Sequence, residues 1–185
     1  MSEKKLKRHT MIAWMENKPG VLNRVASLFR RRNFNIESLA VGHSETPGIS
    51  RMTFVARGNE RELRQVQTQL DKLIHVVDIQ DVSDEPVVMR ELALIKVRAD
   101  NGSRAQVMQL VDIYRARVID VDMDTLIVQI VGPEDRVQSF IKLLSNFGIE
   151  EMTRTGRVAM IRGPKSQKQH EVEEAVASYS NGDGQ

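Results

Sequence analysis

The 185-residue chain is 41% hydrophobic, has no cysteine and carries a formal net charge of +2. This is enough apolar material for one large or two small cores, and it rules out disulfides, thiolate metal sites and cysteine nucleophiles. The basic residues are interspersed with nearly as many acids, and the apolar runs are only a few residues long. No nucleic-acid partner, no membrane partner and no signal segment is therefore expected, and the chain reads as a soluble, cytoplasmic protein.

Residues 1–8, with Lys4, Lys5, Lys7 and Arg8, read as a basic N-terminal tail. From Thr10 to Met15 the apolar residues are continuous, Ile12 and Trp14 on one face and Met11, Ala13 and Met15 on the other, which predicts a strand buried on both sides. The turn Asn17, Lys18, Pro19, Gly20 follows. Val21, Leu22, Val25, Leu28 and Phe29 then recur at helical spacing, with Asn33 where a left-handed cap belongs. Arg30, Arg31 and Arg32 read as a solvated helix end, where cations complement the macrodipole, rather than as a phosphate patch. Ile36–His43 and Ile49–Ala56 flank the turn residues Pro47 and Gly48 as a hairpin. Asn59 caps a second helix whose apolar face is Leu63, Val66, Leu70, Leu73 and Ile74, and Val76–Val82 closes the set as a fourth strand. The order is βαββαβ.

Ser83, Asp84, Glu85 and Pro86 break the pattern, and the same order then repeats. Leu92–Ala99 is a strand. Ser103 caps a helix with Val107, Leu110, Val111 and Tyr114 inward, and Val118–Asp122 with Leu126–Gly132 form a hairpin. Pro133 and Glu134 open a helix with Val137, Phe140, Ile141 and Leu144 inward and Gly148 past its end. A strand from Ile149 follows, and Val158–Ile161 can add another.

The predicted fold is α+β: two tandem ferredoxin-like βαββαβ sandwiches, each an antiparallel sheet with its helices on one face. The boundaries are a first domain at 9–82, a linker at 83–86, a second domain at 87–164 and a polar, disordered tail at 165–185 with at most a short helix near Glu171 to Ala177. The face of each sheet away from its helices lacks a cover, and the apolar residues on both faces of the first strand and hairpin call for burial against a second copy. A homodimer is expected.

Catalytic chemistry is hard to find. No G-x-G-x-x-G, G-x-x-x-x-G-K-[ST] or G-x-S-x-G occurs, and His9, His43, His75 and His170 are scattered without ligand spacing, so no catalytic residue and no metal site is assigned. Asp120, Asp122 and Asp124 imitate the start of a calcium loop, but Thr125 stands where that loop needs glycine and Val131 where it needs glutamate. They read as a hairpin turn.

The Asn17–Gly20 turn is more promising. Gly20 lets a ligand approach the backbone closely, and the helix that follows presents free N–H groups and about half a positive charge, which together can receive a carboxylate. Asn17-Lys18-Pro19-Gly20-Val21-Leu22, the helix through Phe29, and Asn33-Phe34-Asn35-Ile36-Glu37-Ser38-Leu39 resemble the ACT family of amino-acid sensors. The last stretch, with Ser50-Arg51-Met52-Thr53, is similar more specifically to the small regulatory subunits of acetohydroxyacid (acetolactate) synthase, and the likeness runs to Arg162.

That resemblance implies a first domain of the ACT type and a noncatalytic chain with no cofactor of its own. It implies binding to a large catalytic subunit that carries thiamine diphosphate, Mg and FAD, stimulation of that subunit, and feedback inhibition by a branched-chain amino acid, valine being the commonest effector. In the family the effector lies between two ACT domains. Carried over, Gly20, Val21 and Leu22 supply backbone groups to the carboxylate, the amides of Asn17 and of Asn35 from the facing chain serve the polar end, and Ile36 of that chain touches the alkyl group. Pro19 is assigned no contact. Val21 and Leu22 read equally well as core residues of the first helical turn; Asn35 as a plain turn residue and Gly20 as a demand of backbone geometry alone are the lesser alternatives to a binding role. A free-standing ACT sensor of another enzyme or of transcription is the alternative, though the chain has no DNA-binding helix pair.

Overall fold

Continuous apolar sequence and alternating apolar sequence produce two different sheets in this protein. A computed structural model describes residues 7–31, 35–163 and 174–178. Its contacts divide the chain into a first unit, up to Val88 and again from Ala159, and a second unit, Met89–Val158.

The first unit contains β1 (Lys7–Glu16), α1 (Val21–Arg31), β2 (Asn35–His43), β3 (Ile49–Gly58), α2 (Glu60–Leu70) and β4 (Val76–Asp81). The strands form an antiparallel sheet in the order β2-β3-β1-β4. Lys7 pairs with Gly58 and Arg8 with Arg57, so these two residues of the expected tail belong to the first strand, drawn in by the full length of β3. Met11, Ala13, Met15, Met52, Phe54 and Ala56 on one face of the sheet pack with Val25, Leu28, Phe29, Leu63, Val66 and Leu70 of the helices. Asn59 caps α2 as expected, and the cap is a capping box completed by Glu62. Leu73 and Ile74 fall beyond the end of α2, and Ile74 is exposed rather than on the helix's apolar face. Asn33, Arg32 and the tail outside 174–178 lie outside the described residues; 174–178 is helical.

The opposite face of this sheet corrects one expectation. Thr10, Ile12 and Trp14 stand in register with Val55, Thr53 and Arg51 on β3, and all but Arg51 are at most 9% exposed within the single chain. The Arg51 guanidinium stacks 5.5 Å from the Trp14 ring centroid and donates to the Ala159 carbonyl at 2.8 Å, while Ala159 and Val176 of the same unit are themselves buried. The face is not bare. Its cover is supplied inside one chain, so it does not require a second copy.

The second unit carries most of β5 (Val87–Arg98), then α3 (Arg104–Ile113), β6 (Arg117–Val121), β7 (Thr125–Gly132), α4 (Glu134–Leu144) and β8 (Ile149–Arg154). The sheet order is β6-β7-β5-β8, with β9 (Val158–Ile161) also pairing β5. Ala93, Ile95 and Val97 alternate inward against Val107, Val111, Val137, Phe140 and Leu144, and the intervening Leu92, Leu94 and Lys96 are only half-buried. The second sheet keeps an open outer face. Both units are thus antiparallel sheets with helices packed on one side.

Candidate functional site

β1 ends at Glu16, and the chain must reverse within four residues to start α1 at Val21. The Asn17 N–H donates to the Gly48 carbonyl at 2.7 Å, which ties the turn to the β2–β3 connection. Gly20 has φ +84°, a left-handed backbone that a side chain would strain, although an added Cβ would meet nothing within 4 Å. The Arg24 N–H donates to the Gly20 carbonyl at 3.0 Å, and the Val21 N–H makes a long 3.4 Å bond to the Lys18 carbonyl. The amides of Leu22 and Asn23 have no partner among the described residues. They point along the helix axis, where the macrodipole is positive.

The side chains at this turn divide. Val21 is buried in the core, so any contact it offers a ligand comes from its backbone, whereas Leu22 is 45% exposed and Asn17 and Gly20 lie at the surface. Behind the turn, Glu16 pairs with Lys18 at 2.7 Å and with His75 at 3.2 Å. Lys18 foremost, with His75, holds the Glu16 carboxyl below the ordinary glutamate value, against the opposing effect of burial. Spacing alone gave no hint of this trio, because His75 arrives from the far end of the domain.

Asn35 and Ile36 open β2, opposite Arg57 and Ala56. Asn35 is exposed, and Ile36 is half-buried against the core of its own unit. The Asn17 turn is anchored at Gly48, at the other end of β2, so nine residues of strand, roughly 27 Å, separate the two groups in one chain. The structure brings Asn17, Gly20, Val21 and Leu22 together and does not bring Asn35 and Ile36 to them. β2 is an edge strand, and Leu39 and Val41 on it are large apolar residues left exposed. A bulge between Ile36 and Ser38 places Glu37 beside Arg8 at 2.7 Å and Arg57 at 3.1 Å.

The equivalent loop of the second unit gives a control. Asp100 stands four residues before the first residue of α3, as Asn17 does before α1. Its Oδ1 accepts from the Gly102 N–H at 3.1 Å, the Ser103 N–H at 2.9 Å and the Ser103 hydroxyl at 2.6 Å. Asp100 therefore orders the loop ahead of α3 as an Asx turn, and Ser103, expected to cap the helix, makes no side-chain capping bond because its hydroxyl donates to Asp100 instead. The Ser103 hydroxyl first, then the two amides, holds the Asp100 carboxyl below its ordinary value. The loop before α3 thus carries an anion, and the Asn17–Gly20 loop before α1 carries none.

Among the described residues no group of three or more His, Asp or Glu side chains could hold a metal, and no helix is long and apolar enough to cross a membrane. The Asp120–Asp124 stretch forms the β6–β7 connection, with the Asp122 N–H bonded to the Thr125 carbonyl.

Comparison with known proteins adds two family matches. Residues 12–78 match the acetohydroxyacid synthase small subunit-like ACT domain, and residues 90–163 match the small subunit of acetolactate synthase. A probable acetolactate synthase small subunit of Methanothermobacter thermautotrophicus is 48% identical over 85% of this chain and 95% of its own length. The acetolactate synthase small subunit of Mycobacterium bovis is 49% identical over 86% of this chain and 95% of its own. The crystal structure of the acetolactate synthase small subunit from Thermotoga maritima superposes with a TM-score of 0.80 at 41% identity, covering 86% of this chain and 99% of that one.

Proposed function

This chain belongs to the family of acetolactate synthase small subunits, and from that premise we propose that it is a noncatalytic regulatory subunit, stimulating a large catalytic subunit and conferring feedback inhibition by a branched-chain amino acid, valine first among them. The chemistry then belongs to the large subunit, with its thiamine diphosphate, Mg and FAD, and the assembly is cytoplasmic. The observation that carries the effector reading is the N-terminus of α1, with the Leu22 and Asn23 amides unpartnered among the described residues and no anion in the Asn17–Gly20 loop, whereas the loop before α3 holds Asp100. An α-carboxylate would supply the anion that this loop lacks and accept from those two amides.

The other half of the pocket comes from a second copy. If two β2 edges pair antiparallel about a two-fold axis, the start of one strand lies beside the end of the other, and the partner's Asn35 and Ile36 reach the Asn17 turn. The exposed Leu39 and Val41 favour that edge as the dimer contact. Ile36 then offers the exposed part of its side chain to the effector's alkyl group. Burying an isopropyl group contributes about 1.5 to 3 kcal/mol and one further methylene about 0.8, so such a pocket rejects alanine but separates valine from leucine only a few fold.

Isothermal titration of the purified protein with valine, leucine and isoleucine, beside an assay of the cognate large subunit with and without this chain, tests the reading. Binding of at least one of the three and stimulation of acetolactate formation are expected. Absence of both would overturn it.

A further inference from the structure

The end of α3 breaks a rule that the other described residues keep. The Ala116 N–H bonds the Val111 carbonyl at 2.8 Å and the Arg115 N–H bonds the Asp112 carbonyl at 3.0 Å, the paired bonds of a Schellman cap, and the position between them has φ +47°. Glycine is the residue suited to that left-handed position, and glycines occupy the other positive-φ positions among the described residues. Here it is Arg115. A local rule broken without a structural gain points to function.

The strained residue opens onto a hollow of about 320 Å³ lined by Arg115, Arg117, Gln129 and Val131. Arg117 and Gln129 are direct cross-strand partners on β6 and β7. No carboxylate lines the hollow. Elsewhere in the same unit arginines are engaged: Arg98 with Glu150, Arg154 with Glu91, Arg157 with Glu134, Arg104 with the Ala99 carbonyl and Arg136 with the Tyr114 carbonyl. Arg115 and Arg117 have no such partner among the described residues.

We propose that this hollow is a binding site for a small phosphate-class oxyanion. Two guanidinium forks and a side-chain amide supply directional N–H donors that a tetrahedral oxyanion can accept in pairs, and its charge removes the repulsion between two cations sharing one concavity. Guanidinium forks bind an oxyanion more strongly as the anion gains charge, so binding strengthens as the phosphate-class ligand loses protons. Val131 is the one apolar residue in the lining, so the site has no wall for an alkyl group and is chemically unlike the α1 turn. It stands independently of the function proposed above.

The test is titration calorimetry of the full chain at low salt with pyrophosphate and inorganic phosphate, with acetate and chloride as controls. Saturable pyrophosphate binding with a dissociation constant on the order of millimolar or tighter is expected, weakened at least tenfold in R115G and in R117Q. R115G relieves the left-handed strain, so its Tm is expected to rise by about 2 to 4 °C while the binding is lost, which separates a binding role from a folding role. Identical heats for the wild type and the R115G/R117Q double variant would overturn the proposal, as would acetate binding as tightly as pyrophosphate.

Discussion

β1 and β5 hold the same place in their two sheets, yet the face turned away from the helices is closed on one and open on the other. Along β1 the residues from His9 to Met15 are all buried; along β5 burial alternates strictly from Glu91 to Val97. The difference follows from what is laid on the sheet. Ile12 and Trp14 are covered within their own unit, where Arg51 holds the Ala159 carbonyl, whereas Leu92 and Leu94 remain half in solvent. A βαββαβ layout does not by itself decide whether a sheet has one buried face or two.

Truncation at matched positions should separate the two faces. Ile12→Ala removes a side chain that is 1% exposed and is expected to cost about 2 to 5 kcal/mol, while Leu94→Ala, on the half-buried face, is expected to cost about 1 kcal/mol in urea unfolding. An equal cost at both sites would mean that the outer face of the second sheet is covered in solution.

The two helix-entry loops make the same contrast on a smaller scale. Asn17→Asp is nearly isosteric and places a carboxylate in the loop before α1, as Asp100 stands in the loop before α3, so its charge should weaken effector binding more than tenfold in calorimetry, with the fold intact. Unchanged affinity would remove the α1 N-terminus as the carboxylate seat.

Local patterns made most of the architecture legible. The helical spacing of Val137, Phe140, Ile141 and Leu144 and the capping box begun by Asn59 needed only neighbouring residues, and both stand in the structure. The continuous apolar run Met11–Met15 announced a strand buried on both faces, but not what buries it, because Ala159 lies 108 residues from Arg51. Ser103 makes no cap bond because Asp100, three residues earlier, takes its hydroxyl and its amide in an Asx turn. The D-x-G-S pattern carried that signal. At the candidate site the strand–turn–helix path of Asn17–Leu22 was legible; the Glu16, Lys18 and His75 trio behind it was not, since it depends on a residue 59 positions away. Arg115 gave no signal at all, because a left-handed cap position is read from glycine and none is there.

The smallest effect concerns that trio. Lys18 and His75 hold Glu16 below its ordinary value in the folded protein, so the ionised carboxylate contributes stability that is fully present above the unfolded value of about 4.3 and is lost as pH falls through the lower, folded one. Glu16→Gln removes that contribution and should destabilise the chain modestly at neutral pH, with the gap from wild type closing as acid unfolding is followed below about pH 4.3. Asp100, lowered by hydrogen bonds from its own loop, obeys the same sign, so Asp100→Asn should also flatten the acid limb. The two differ in what else they disturb. Glu16 grips Lys18 inside the Asn17–Gly20 turn, so its loss should weaken the effector response as well, whereas Asp100→Asn should leave that response as it was. A Glu16→Gln chain with an unaltered effector titration would show that the turn is held by its backbone bond to Gly48 and needs no support from the ion pair.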